Sequence, residues 1–257
     1  MSLPARYAAY FVPESASALA RLGSALLGRD SETGHSAPQP LIPGFPPETL
    51  RALTAEARRY GLHATLKAPF FLRSGATERD LLRLAREFAA SQAPIALARL
   101  GVERIGSFFA LVPRAETPRE QDALERLNAL AAAAVARFDP LRAVPTEREI
   151  TRRNPQALSA RQRELLAAWG YPYVFDEYRF HITLTDRLFN EAAARVMQEQ
   201  LRAHFAALDQ QAGVAAVVAS LCICKQTVPG PAVASGGTGA SREAEFTLLQ
   251  RFDFPPP

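Results

Sequence analysis

Two strings in this chain share one four-position pattern, His63-Ala64-Thr65-Leu66 and His181-Ile182-Thr183-Leu184. The chain has only 4 histidines, and two of them are followed two residues later by threonine. In a strand, residues i and i+2 point to the same face about 7 Å apart, so each string presents one imidazole and one hydroxyl to one surface and turns its apolar pair behind. Two such surfaces facing each other would hold two acid/base groups and two hydroxyl donors around one anion. Phosphoester cleavage asks for that set: a base for the attacking oxygen, an acid for the leaving oxygen, and donors for the charged non-bridging oxygens. Imidazole suits both proton roles because its ordinary pKa lies near neutrality. His63 and His181 are therefore the expected acid/base pair, with Thr65 and Thr183 on the phosphate. Lys67, two residues beyond Thr65, shares that face if the strand stays regular; otherwise it is a strand-end residue reaching to solvent.

Other chemistries fit less well. Two imidazoles could ligate zinc, but a third ligand is wanted, and the odd spacing of Asp186 from His181 turns it to the opposite face. A metal is not expected. Covalent catalysis would need an activated Ser or Cys, and Cys222 and Cys224 sit in an apolar, buried-looking strand. His35 in a Pro/Ser loop and His204 on an Ala-rich helix read as structural or solvent-facing.

The elements that must position the two strings come in two similar series. Arg6–Pro13 reads as a strand, followed by a helix over Ala16–Leu27 and a second over Pro47–Tyr60 with Gly61 as its C-cap. A strand over Leu62–Leu72 carries the first string, Thr77 with Asp80 opens a helix to Ala90, and a strand covers Ile95–Val102. The second half restarts with a strand at Ser107–Val112. Thr117-Pro118-Arg119-Glu120 then opens a helix to Arg137 with a cap, Pro at its first turn and Glu at its third position. Arg179–Thr185 is the second string's strand, followed by a helix over Glu191–Leu208 and strands over Val214–Cys224 and Glu245–Phe254. Strand, helix, string strand, helix, strand occurs twice, which predicts a pseudo-duplicated α+β protein. We expect one bilobed domain over 1–257, with halves at about 1–105 and 106–257, an antiparallel sheet in each half flanking a central cleft, and helices outside. Residues 139–178 form an insertion with two short helices started by Thr146/Glu149 and Ser159/Gln162, ending in the aromatic run Trp169-Gly170-Tyr171-Pro172-Tyr173; beside a site it would serve as a lid or specificity element. Gly236-Gly237-Thr238-Gly239 lacks the Lys-Ser/Thr pair of a phosphate loop and reads as a hairpin loop.

Composition bounds the partners. With 48% hydrophobic and 22% charged residues the chain is globular, not disordered. Its net charge of +4 is almost all arginine, since Lys67 and Lys225 are the two lysines, and the basic residues form no long run. This favours anionic ligands weakly and gives no nucleic-acid footprint. The longest apolar run, Ala212–Cys224, is too short to span a bilayer as a helix, no signal segment opens the chain, and two cysteines at i and i+2 make a bridge unfavourable. A reduced, cytoplasmic monomer is expected.

The paired His-x-Thr-x strings in two pseudo-symmetric halves resemble the 2H phosphoesterase superfamily, which includes cyclic-nucleotide and RNA 2′,3′-cyclic phosphodiesterases. The resemblance maps that family's catalytic histidines onto His63 and His181 and its phosphate-binding threonines onto Thr65 and Thr183. Gly61-Leu62-His63-Ala64-Thr65-Leu66-Lys67-Ala68-Pro69-Phe70, and the aromatic run leading to Arg179-Phe180-His181, are similar to a branch whose genes are associated with bacterial phosphonate utilisation. That branch implies a small phosphoribosyl-type or cyclic phosphate substrate; from the residues themselves we expect no cofactor, and take Lys67, Arg179 and Tyr173 as further candidate substrate contacts. The 139–178 insertion is longer than in the minimal RNA-acting members, so RNA is the alternative substrate and not the favoured one. A different class of alternative is a non-catalytic nucleotide- or RNA-binding protein in which Phe70, Tyr173 or Phe180 stacks a base.

Overall fold

The computed structural model describes residues 5–210, 215–226 and 245–256. The chain opens with strand β1 (Arg6–Phe11), helix α1 (Ala18–Leu27), helices α2 (Pro47–Leu53) and α3 (Ala55–Tyr60), and strand β2 (Ala64–Phe71). Helix α4 (Glu78–Ala89), strands β3 (Ile95–Leu97), β4 (Leu100–Ile105) and β5 (Phe108–Pro113), and helix α5 (Pro118–Phe138) follow. Helices α6 (Glu147–Arg152) and α7 (Ala160–Trp169) lead to strand β6 (Ile182–Thr183), helices α8 (Glu191–His204) and α9 (Ala206–Gln210), and strands β7 (Ala216–Val218), β8 (Ser220–Gln226) and β9 (Phe246–Asp253).

Local chemistry sets most of these boundaries. Thr77, Thr117, Thr146 and Ser159 each cap a helix with the side-chain oxygen and donate their own backbone N–H to the side chain three residues on, the capping boxes expected for α4, α5, α6 and α7. Gly28 and Gly170 end α1 and α7 in the left-handed conformation that a side chain would oppose.

The fold is α+β, but the halves do not each build their own sheet. One seven-stranded sheet runs β4-β5-β6-β2-β1-β8-β9, every pairing antiparallel, and a separate ribbon joins β3 to β7. The expectation of two sheets flanking a cleft is thus corrected. The two string strands lie edge to edge, with Ala64 opposite Ile182, so the backbone edge each half would leave open is satisfied by the other. Partner changes explain further differences from expectation. The strand expected over Ile95–Val102 divides at Ala98-Arg99, because β3 pairs with β7 while β4 pairs with β5. The strand expected from Val214 divides in the same way, its first residue lying outside the described residues. The helix expected over Pro47–Tyr60 breaks at Thr54, whose buried hydroxyl donates to the Leu50 carbonyl at 2.9 Å. The one expected over Glu191–Leu208 breaks at Phe205, and the Arg179–Thr185 strand contracts to its centre. The 236–239 glycine segment lies outside the described residues. None of the described helices is long and apolar enough to cross a membrane.

Alternation along β1 gives the sheet two faces of different character. Tyr7, Ala9 and Phe11 join the main core, packed with residues of α1, α4, α5 and α8, while Ala8, Tyr10 and Val12 form a small cluster with Cys222, Cys224 and Phe246 on the opposite face. The insertion packs beside α5 through Val135, Leu165 and Val174.

Candidate active site

The strings behave as their alternation predicts. Ala64, Leu66, Ile182 and Leu184 are buried in the main core, and His63, Thr65, His181 and Thr183 line one cleft of about 780 Å³ on the opposite face of the sheet. From the Ala64–Ile182 pair, one step either way along the antiparallel register sets His63 opposite Thr183 and Thr65 opposite His181. The two histidines are then diagonal neighbours, a relation that places residues about 7–8 Å apart, with their Cβ atoms somewhat closer.

Both rings are held by the same device. His63 Nδ1 lies 2.8 Å from the Gly61 carbonyl oxygen, and His181 Nδ1 lies 2.7 Å from that of Arg179. A carbonyl only accepts, so each Nδ1 carries the proton, which leaves each Nε2 to give or take one. Gly61 makes its contact with a backbone at φ +75°, beside Ser31, in a conformation that suits glycine. Tyr10 stacks on His63 with ring centroids 3.9 Å apart and planes at 28°, and Phe108 lies tilted against His181 at 5.8 Å. Burial pushes the His63 imidazole down to about 4, opposed by the Gly61 carbonyl and assisted by the charge of His181. Burial also lowers His181, and the Arg179 guanidinium adds to the effect. Tyr178 donates from its hydroxyl to the Thr65 carbonyl at 2.9 Å, tying the insertion's end to the string strand. No hydrogen bond engages the Thr65 or Thr183 hydroxyl among the described residues.

Lys67 does not join the site. The β1–β2 register slips between Ala9–Lys67 and Tyr10–Thr65, so an extra residue on β2 reverses the alternation after Thr65. Lys67 is 3% exposed on the α5 side, where its ammonium donates to Asp139 Oδ1 at 2.8 Å and to the Val135 carbonyl at 3.3 Å. It is a buried structural ion pair. Arg179 and Tyr173 do line the cleft; Tyr173 is 46% exposed, and Arg179 is ion-paired with Glu103. Phe70 and Phe180 are core residues and present no stacking face.

Asp186 also lines the cleft, but its carboxylate accepts from the backbone N–H groups of Glu56 and Ala57, capping α3. Among the described residues no group of three His, Cys, Asp or Glu side chains converges as a metal site would require. Cys222 and Cys224 are buried free thiols, both raised above the usual range by burial. His204 lies 3.2 Å from the Leu22 carbonyl, a structural contact.

Several cleft residues were not singled out in the sequence: Arg6, Tyr10, Tyr60 and Arg153; Tyr171 belongs to the aromatic run expected beside the site. Arg6 and Tyr10 share one face of β1, so an arginine opening an otherwise apolar strand was the available clue.

Residues 65–233 match the family described as "Protein of unknown function (DUF1045)". The chain belongs to that family. The match takes in the second string and the whole 139–178 insertion, so the unusual helical segment of this DUF1045 chain falls inside the family's own span. The chain is 42% identical over 227 residues, 88% of its length, to a Janthinobacterium sp. (strain Marseille) protein named Ribose 1,5-bisphosphate phosphokinase PhnN, of which the match covers 48%. It is 40% identical over 187 residues, 71% of its length, to a protein of the same name from Laribacter hongkongensis (strain HLHK9), of which 40% is covered. The chain spans about half the length of the curated relatives it matches.

Proposed function

We propose that this chain is a metal-independent phosphodiesterase of the 2H type, one domain folded as a pseudo-two-fold pair, acting on a small cyclic or phosphoribosyl-type phosphodiester. The observation that carries the reading is the pair of imidazoles on one cleft, each fixed through Nδ1 to the carbonyl two residues before it. The strand order supports the pseudo-two-fold: exchanging β1–β4 with β5–β8 maps β4-β5-β6-β2-β1-β8 onto itself reversed, about an axis at the Ala64–Ile182 pair.

In the proposed reaction His63 Nε2 takes a proton from water as the water oxygen bonds to phosphorus. The phosphorus–alkoxide bond breaks, and the alkoxide takes the proton on His181 Nε2. Thr65 and Thr183 donate to the non-bridging oxygens. His63 is the base because burial and the Tyr10 ring favour its neutral form most strongly. The product is a phosphomonoester, and proton exchange with solvent resets both rings.

The name shared by the relatives suggests a second reading, phosphoryl transfer. A phosphate loop of the G-x-x-x-x-G-K-[ST] kind needs a lysine, and both lysines of this chain are committed, Lys67 to Asp139 and Lys225 to Glu78 at 2.6 Å. Neither follows the glycine spacing of that loop. We assign the kinase work of those proteins to the half that this chain does not match, and to this half a hydrolytic step on a related phosphate ester, consistent with a role in phosphonate utilisation. The test is 31P NMR of purified protein with a panel of five- and six-membered cyclic phosphodiesters. Conversion of at least one to its monoester supports the phosphodiesterase; ATP-dependent phosphorylation of a sugar phosphate by this chain alone overturns it.

A further inference from the structure

The cleft carries positive charge that the histidine pair does not use. Arg6 Nε and the Tyr10 hydroxyl are both buried without a hydrogen-bond partner, and both belong to cleft-lining residues. Tyr10 is fully buried, and orphaned polar atoms of this kind are rare enough to require an explanation. On the insertion side, the Arg153 guanidinium lies over the Tyr171 ring, 4.7 Å from its centroid, with no carboxylate partner among the described residues. Arg6 and Arg153 line this cleft together and also share a smaller adjoining pocket with Arg142 and Arg152; burial holds the Arg6 guanidinium below the usual arginine range.

The acidic residues around the cleft are occupied elsewhere. Asp186 caps α3, Glu56 pairs with Arg59 at 3.0 Å, Glu177 accepts from Gln162 at 2.9 Å, and the Glu149 carboxylate closes the capping box of α6. Arg6 donates to the neutral Gln226 side chain at 3.3 Å, so two arginines line one partly desolvated cleft with no carboxylate partner among the described residues, and such a pair forms a site for an anion. Arg6 and Tyr10 are four residues apart on one strand face, about 13 Å of strand, so Arg6 enters the cleft along the strand from the Tyr10–His63 stack.

We propose that Arg6 and Arg153, with the Tyr10 hydroxyl between Arg6 and His63, form a second anion subsite, so that the substrate carries a phosphate or comparable dianion in addition to the diester. This rests on the diesterase reading for what occupies the histidine end, and it narrows the substrate class to a phosphodiester already phosphorylated at a distal position. It follows that the reaction supplying this substrate leaves a distal phosphomonoester in place, and that the product is a bisphosphate.

Calorimetric titration with adenosine 3′-phosphate and adenosine 3′,5′-bisphosphate tests this directly, because neither contains a diester and binding is read without turnover. The expected result is at least tenfold tighter binding of the bisphosphate by the parent protein, with the ratio falling towards one in Arg153→Gln and in Arg6→Gln and persisting in His63→Ala. Arg153 follows a short surface helix, so its variant keeps the test readable if Arg6→Gln unfolds. Equal affinities, absence of binding by both compounds, or a ratio that survives both arginine substitutions overturns the subsite. A bisphosphate preference without hydrolysis of any cyclic ester would contradict the diesterase reading and leave the subsite standing; hydrolysis without the preference does the reverse.

Discussion

The Tyr10 ring stacks on the His63 imidazole, centroids 3.9 Å apart and planes at 28°, and both residues line the cleft. The contact shields one face of the imidazole from water, which is why burial dominates the lowering of its proton affinity. Tyr10→Phe keeps the ring and removes an unpartnered hydroxyl, so His63 titration, followed by NMR, should stay within a few tenths of a unit. Tyr10→Leu opens the face and should raise the His63 pKa towards the ordinary imidazole value near 6.5. An unchanged titration in Tyr10→Leu would show that the stacking does not control the ring.

The pH dependence of kcat/KM should be bell-shaped and acidic. His63 must be neutral to act as base, so activity rises as pH passes about 4. His181 must be protonated to act as acid, so activity falls as pH rises through a value below the usual imidazole range. A profile still rising above pH 8 would contradict these assignments.

On the proposed mechanism, Thr65→Val and Thr183→Val each remove one donor to the phosphate while nearly keeping shape. Each should lower kcat/KM by about ten- to hundredfold, one charge-assisted hydrogen bond, with thermal stability almost unchanged. Equal, unaltered kinetics in both variants would remove the threonines from the site.

Lys67→Met should separate stability from chemistry. The ammonium is bound to Asp139, which keeps Arg142 as a second partner, with bonds of 2.8 Å to each. The loss should cost about 1–3 kcal/mol of stability, the range for a buried group deprived of one partner, and leave kcat/KM of the folded protein within twofold. A hundredfold loss of kcat/KM in a fully folded variant would return Lys67 to the cleft.

Much of this site was legible in the sequence because it rests on local rules. The parity of His63 with Thr65 and of His181 with Thr183 survives folding, and the capping boxes at Thr77, Thr117, Thr146 and Ser159 are short-range chemistry. The expectation for Lys67 fails because the β1–β2 register slips on both sides of the Ala9–Lys67 pair, reversing alternation after Thr65; Pro69 within this central strand is the nearby residue that marks an irregular ladder. The union of both halves in one sheet depends on the pairing of Ala64 with Ile182, a contact between distant parts of the chain that neither string encodes. Arg6 and Arg153 come from a strand and an insertion far apart in sequence, and in a chain rich in arginine neither is conspicuous until the fold brings them to one cleft.

Chelation should leave activity intact. Among the described residues the two imidazoles have no third ligand at hand, because Asp186 is held by the α3 backbone. Dialysis against EDTA should change turnover by less than twofold; loss of turnover restored by zinc or manganese would establish a metal site that the described residues do not assemble.

The most direct measurement is turnover of His63→Ala, His181→Ala and the double variant on a cyclic phosphodiester that the parent hydrolyses, with folding checked by circular dichroism. Two groups acting in one step predict a loss of about 10²–10⁴ for each single variant, and a loss in the double variant smaller than the product of the two. Full turnover in either folded single variant would contradict the two-histidine mechanism.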